Sequence, residues 1–282
     1  MQSLAKFAMR SPLHAIGVSV LAASLPLLAW LSASVVALVA LSQGFRAGAK
    51  VFLWTLIPMG IGFHYTSDPT SVTLVITVFL LALALRNRFS WEQVLVFASC
   101  ITLIGTFLFY NIASTVFDQL IDIYNQILPG TDGIPALEDK ELVKIMIAGY
   151  SVMFYFFSIA VLSLARWWQS CLYNPSGFGS EFHSLRLPPL VSIAAVLAVI
   201  FCLVFVDRLG IWAPFVGSPL FIAGLGLVHW TFEAAKISNF WLIGFYMGLF
   251  LFFQLFFPVL TSIAIIDSFF DLRSRFKFSN KE

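Results

Sequence analysis

The chain has 282 residues, 60% of them hydrophobic and 11% charged, with a mean hydropathy of +0.94; an ordinary soluble domain carries roughly 25% charged residues. A water-soluble fold has too little interior to hide that much apolar surface, so the composition excludes a soluble enzyme or binding domain and makes lipid the expected solvent. A formal net charge of +2 is too small to indicate nucleic-acid binding, and the Lys and Arg residues serve topology instead.

Each helical span uses about 20 residues, so the chain reads as a single integral membrane domain over 1–282, an all-α polytopic transmembrane helix bundle of about 8 spans, range roughly 7 to 10. Cys100, Cys171 and Cys202 are odd in number and lack C-x-x-C spacing, which argues against a disulfide framework. Lys6 and Arg10 precede apolar sequence as in a signal peptide. The apolar run from Leu13 to Ser42 nevertheless continues without a polar mature start, and is expected to be an uncleaved anchor.

As one straight helix, Leu13–Ser42 would reach roughly 45 Å and overshoot a hydrocarbon core of about 30 Å. Pro26 lies near its middle, which favours a broken element, with one short span before Pro26 and another from about Trp30 to Leu41; the alternative is one tilted helix. Val51–Tyr65 and Thr70–Leu85 follow, joined by the polar turn Thr66-Ser67-Asp68-Pro69. Arg86 and Arg88 close this hairpin on the side that carries Arg46 and Lys50. A longer span is predicted over Trp91–Phe117. A polar, non-cytoplasmic loop is then predicted over 118–144, with six acids and two lysines and turn signals at Pro129-Gly130 and Asp132-Gly133.

The remaining predicted runs are Ile145–Ala165, a cytoplasmic loop at about 166–188, then Leu190–Val206, Ile211–Val228 and Phe240–Ile266, the last containing Pro258. Trp91, Trp167, Trp168, Trp212, Trp230 and Trp241 fall near span ends, where an amphipathic ring prefers the headgroup level. With both termini in the cytoplasm, 13 of the 16 Lys and Arg residues lie inside and only Lys140, Lys144 and Arg208 outside, a strong positive-inside bias. Counting the opening block as two spans gives an odd total that would put the basic tail outside. A split or re-entrant run near Pro214/Pro219 or Pro258 restores the parity and is preferred over a single opening span with the N-terminus outside.

No G-x-x-x-x-G-K-[ST], H-E-x-x-H or G-x-S-x-G motif and no Cys/His zinc spacing is present, so an autonomous ATPase, metalloprotease or serine hydrolase finds no support. No catalytic residue, metal ligand or cofactor is assigned. Gly244-Phe-Tyr-Met-Gly248 and Gly44-Phe-Arg-Ala-Gly48 carry the small-residue spacing that lets helix backbones approach, and plain packing is their expected role. Polar groups at depth are candidate ligand-binding residues: Asn111 beside Tyr110, His64, His229 and Gln254. The bland alternative is that each bonds a neighbouring helix. The absence of a carboxylate at a span centre argues against a proton-coupled pump.

A different constellation lies on the predicted cytoplasmic face. Glu181, His183 and Arg186 form a polar island just before Pro188 and Pro189. In the tail, Asp267 and Asp271 stand four apart and share a helix face, with Arg273 close behind. A tail carboxylate paired with Arg186 would clamp the two halves of the chain together, and this structural bridge is the first reading; the functional alternative is a docking surface for a cytoplasmic partner, and catalysis by His183 with Glu181 ranks third.

Phe182-His183-Ser184-Leu185-Arg186-Leu187-Pro188, Gly224-Leu-Gly-Leu-Val-His229 and Ile265-Ile266-Asp267-Ser-Phe-Phe-Asp271-Leu-Arg273 resemble the YybS-like family of uncharacterised bacterial multi-pass membrane proteins. The opening block, with Pro26 and Ala37-Leu-Val-Ala-Leu-Ser-Gln-Gly44, resembles that family's as well. The family is distantly similar to the substrate-binding S components of energy-coupling-factor transporters, which bind a vitamin or metal within a helix bundle and work with a separate membrane coupling subunit and ATPases. The resemblance implies a bacterial cytoplasmic (inner) membrane location and a non-enzymatic, small-ligand-binding subunit without its own ATPase. It supplies no substrate-contact residue. The alternative is a membrane scaffold or regulatory protein acting through its cytoplasmic loop and tail; a lipid-modifying enzyme is a distant third.

Overall fold

The computed structural model describes residues 2–127 and 138–275, apart from the side chains of Pro26 and Asn239. Pro129-Gly130, Asp132-Gly133 and the tail residues Lys277 and Lys281 lie outside the described residues. All regular structure among the described residues is helical. The chain, read above as one integral domain, groups by its contacts into two compact units: unit 1 is Met1–Phe89 with Phe97–Pro175, and unit 2 is Ser90–Val96 with Ser176–Glu282.

Unit 1 is built from α1 (Gln2–Ala8), α2 (Pro12–Ala23), α3 (Ala29–Gln43), α4 (Phe45–Thr66), α5 (Thr70–Arg86), most of α6 (Trp91–Ile112), α7 (Ser114–Ile127) and α8 (Asp139–Tyr173). Its centre is α3. An almost continuous buried run from Ser32 to Leu41 leaves α3 no polar face, which is the mark of a helix enclosed on all sides; it packs against α2, α4, α5 and α8. The opening block is broken around Pro26, where a 3-10 turn covers Pro26–Leu28. Ser19 and Ser32 face each other across that break with hydroxyl oxygens 2.9 Å apart, and Thr55 of α4 joins them 2.6 Å from Ser19, so α2 and α3 fold back on one another.

The end of α3 is fastened by polar groups. Arg86 Nη1 donates to the Leu41 carbonyl at 2.6 Å and Gln169 Nε2 donates to the same oxygen at 3.0 Å, filling an acceptor that a helix C-terminus leaves open. Gly44 then turns the chain at φ +93°, a region an L side chain enters only with strain. Gly48 brings α4 so close to α3 that a Cβ there would lie 2.8 Å from the Ala40 Cβ. At the far end of α4, the turn to α5 is held by Asp68, whose Oδ1 accepts from the Thr70 N–H at 2.9 Å.

Unit 2 contains α9 (Gly177–Ser184), α10 (Pro189–Val204), α11 (Val206–Leu209), α12 (Ala213–Ala234), α13 (Asn239–Leu251), α14 (Phe253–Phe270) and α15 (Leu272–Arg275), with the first residues of α6. Here α12 is the buried core, enclosed from Gly217 to Leu227 and packed against α9, α10 and α14. Gly224 lies directly against the Leu260 carbonyl and Gly226 against the Phe182 carbonyl; a Cβ would meet these oxygens at 2.5 and 2.9 Å.

The span count and several boundaries differ from expectation. About eight spans are not confirmed: four helical segments are long and apolar enough to cross a membrane (Trp91–Ile112, Asp139–Tyr173, Val206–Ala234 and Phe253–Phe270), and a fifth if the bent pair Gly177–Ser184 and Pro189–Val204 forms one span. The remaining apolar helices are short because the apolar runs are broken; α2, for example, has 12 residues and α13 has 13, which at about 1.5 Å per residue fall short of a 30 Å core. The predicted run Phe240–Ile266 is split at Phe252, about a turn and a half before Pro258. Phe245 and Phe256, on either side, have ring centroids 5.7 Å apart, so the chain bends back sharply.

The predicted loop at 118–144 is helical where it is described. Ala113, just before α7, and Val116, Phe117, Ile121 and Tyr124 within it turn inward while Asp118 and Asp122 are exposed, an amphipathic 3.6-residue repeat anchored by Phe117 on Phe109 at 5.3 Å between rings. The predicted loop at 166–188 is likewise mostly helix, because α8 runs on to Tyr173 and α9 occupies Gly177–Ser184.

Candidate functional site

The polar constellation of unit 2 is organised around a short extended segment between α9 and α10. Leu185 and Leu187 are buried while Arg186 between them is partly exposed, the alternation of an extended chain. Such a segment leaves its carbonyls without helical partners, and Pro188 and Pro189 bring no N–H groups of their own. The carbonyls are taken by side chains from the end of α14 and from α15. Arg273 donates through Nη1 to His183 O and through Nη2 to Leu185 O, both at 2.5 Å. Ser268 Oγ donates to Leu187 O at 2.8 Å and lies 2.6 Å from Ser192 Oγ.

The geometry that aims Arg273 backward starts at Asp271, which ends α14 in the left-handed region at φ 48°, a conformation Asp tolerates better than most residues. Asp267, one turn earlier and only 2% exposed, accepts the Leu272 N–H at 2.9 Å and faces Arg273 Nε at 3.3 Å. Burial lowers the Arg273 pKa from its usual value; Asp267 opposes this, Arg186 adds to it and Asp271 again opposes it. Nearer to solvent, Arg186 Nη1 pairs with Asp271 Oδ1 at 2.9 Å. The expected pairing of Arg186 with a tail carboxylate is present, but both ends belong to unit 2, so it fastens that unit internally and does not clamp two halves of the chain.

A second polar row lies beside the first. His183 Nδ1 pairs with the Glu233 carboxylate. His229 Nε2 lies 2.7 Å from the Tyr246 hydroxyl, with its ring edge-on to Phe182 at 5.2 Å and 6.3 Å from the His183 ring. The Trp91 indole N–H donates to Glu181 Oε2 at 3.0 Å. Glu181, His183, Arg186, Asp267, Asp271 and Arg273 are therefore all part of one end of unit 2, joined there by His229.

The other ligand candidates do not assemble with it. Asn111 is exposed and its amide donates to Phe107 O of its own helix at 2.7 Å. His64 is exposed beside Tyr65, and Gln254 is exposed on α14. Asn111 and His64 belong to unit 1, His229 and Gln254 to unit 2. No group of three or more His, Cys, Asp or Glu among the described residues is placed to hold a metal ion. Sequence reasoning missed Glu233, Ser192, Ser268, Tyr246 and the bond from Trp91. Ser268 did carry a signal, since it follows Asp267 on the same helical turn.

No family model, curated protein or solved structure matches this chain.

Proposed function

We propose that this chain is a non-enzymatic, multi-pass protein of the bacterial cytoplasmic membrane, with both termini in the cytoplasm, whose working surface is the ionic end of unit 2, where a cytoplasmic partner docks. The observation that carries this reading is the division of labour within the constellation. Arg273, Asp267 and Ser268 are spent on holding the 183–187 segment, while Arg186, Asp271 and Glu233 keep solvent-facing charge, with side chains 35%, 48% and 68% exposed. A rigid backbone that presents charge of both signs is suited to polar recognition, because charge complementarity chooses partners and registers them. Lys and Arg asymmetry along the chain favours the cytoplasm for this end.

The test compares Arg186→Ala, Asp271→Ala and the charge swap R186D/D271R. Docking predicts folded single variants that lose a co-purifying protein. Single variants that fail to fold and are rescued by the swap would reduce the pair to an internal clamp and sink the docking reading.

A second reading keeps the small ligand and the S-component-like role, with a separate membrane coupling subunit and ATPases as partners. It is favoured by one observation: a shallow, open apolar strip runs along α13, formed by Leu242, Ile243, Tyr246, Met247, Phe250 and Leu251, and its one hydroxyl, that of Tyr246, lies 2.7 Å from His229 Nε2. An apolar surface with a single polar anchor is the combination that orients a small organic ligand. Thermal-shift screening of purified protein against vitamins, metal ions and nucleobases tests it, and no stabilisation by any of them would remove it.

A further inference from the structure

Residues 1–67 contain Lys6, Arg10, Arg46 and Lys50 but no Asp or Glu. Arg46 and Lys50 stand four apart on α4 and so share a face, an arrangement that by itself costs a helix a few tenths of a kcal/mol. Among the described residues neither has an ion-pair partner. The nearest carboxylate in sequence, Asp68, lies beyond the opposite end of α4, a helix of 22 residues or about 33 Å.

The two cations line a cavity of about 250 Å³ between α1, α2, α3 and α4. Its walls include the buried Ala15 and Val39, and its polar lining is Ser11, Gln43, Arg46 and Lys50, with no carboxylate. Ser11 Oγ is already engaged by His14 Nδ1 at 2.7 Å, which leaves the cations and the Gln43 amide to face the space. The volume is below the range of roughly 300–1,000 Å³ typical of drug-sized ligands and suits a compact anionic group. Two exposed apolar side chains adjoin the lining residues in sequence: Leu13, next but one to Ser11, is 79% exposed, and Phe45, beside Arg46, is 63% exposed with its ring 6.2 Å from that of Phe79. Cations bordered by exposed apolar side chains are the pattern of a headgroup-level site, where charge meets phosphate and the apolar groups meet acyl chains.

We propose that this cavity binds the phosphate of an anionic glycerophospholipid. The site is in unit 1 and does not depend on the function proposed for unit 2. The exposed apolar Leu13 and Phe45 next to the lining residues favour a lipid over a free phosphate compound, which would have no use for them.

The experiment titrates the full-length protein in detergent with short-chain phosphatidylglycerol, short-chain phosphatidylcholine or inorganic phosphate, reading lipid adducts by native mass spectrometry and thermal stability in parallel. Phosphatidylglycerol is expected to bind in preference to phosphatidylcholine. That preference should fall about fivefold per cation removed, hence roughly 25-fold in R46Q/K50Q, and persist in K140Q/K144Q. Ala47→Leu narrows the same cavity with both charges kept, and should also lose the preference; it decides the matter if R46Q/K50Q does not fold. Equal binding of the two lipids, an undiminished preference in A47L or in a folded R46Q/K50Q, or equal stabilisation by inorganic phosphate would each overturn the proposal.

Discussion

Arg186 and Arg273, 87 positions apart, matter for different reasons. Arg273 has a side chain 11% exposed and faces an Asp267 side chain that is 3% exposed; removing it strands a buried carboxylate and two carbonyls, and breaking such a pair costs about 3–5 kcal/mol. Arg273→Gln is therefore expected to lower unfolding stability by that order, measured by chemical denaturation in detergent. The doubly apolar variant R273M/D267L should cost less than either single change, because it leaves no charge unpaired. Arg186→Gln, at a half-exposed bridge, should cost no more than about 1 kcal/mol. Since Arg stays protonated throughout the working range, the lowered pKa of Arg273 adds no pH dependence there. The tail carboxylates and Arg186 were legible in the sequence because charges interrupting an apolar chain stand out. The carbonyl ladder under Arg273 was not, because backbone acceptors carry no residue signature.

At the scale of helices, the glycines separate into those that set a distance and those that do not. Gly224→Ala pushes a Cβ into the Leu260 carbonyl at 2.5 Å, and overpacking of this kind typically costs about 1–3 kcal/mol; α12 and α14 should separate, with a corresponding fall in melting temperature. Gly244→Ala meets nothing within 4 Å and should be neutral or stabilising by up to about 1 kcal/mol through helix propensity. The small-residue spacing of Gly44 to Gly48 and of Gly244 to Gly248 is identical in sequence. Only the first marks a close helix contact, at Gly48 against Ala40, because the spacing says which residues share a face and not what that face meets. The break near Pro26 was legible from backbone chemistry, whereas the one at Phe252 lies in an unbroken apolar run. The helical α7 was hidden for the opposite reason: its acids read as loop although its apolar residues keep a helical period.

Across the whole chain, charge is sorted by position along the helices. In unit 1, Arg46 and Lys50 open α4 and Arg86 closes α5, whereas Asp68 sits in the turn between them. If this sorting follows the membrane, a single cysteine at Asn87 and one at Tyr65, each placed in a chain with Cys100, Cys171 and Cys202 replaced by alanine, should react with an impermeant maleimide from opposite faces of sealed vesicles. Reaction of both from the same face would show that α5, one of the shorter apolar helices, does not cross. The class of fold followed from composition alone, because no other solvent suits so apolar a chain. The number of crossings did not, because hydropathy counts apolar residues without registering that α2, α3 and α13 are each too short to cross alone.

The lock between Arg273 and the 183–187 segment also has a schedule. Arg273 follows His183 by 90 positions and Leu185 by 88, and a ribosome adds roughly 5–20 residues per second. For about 5 to 20 seconds of every synthesis, these carbonyls exist without the side chain that will claim them. Synthesis of α10, α12 and α14 falls within that interval, so the carbonyls of the 183–187 segment are made before every helix that packs beside them in unit 2, and the side chain that fastens them comes last.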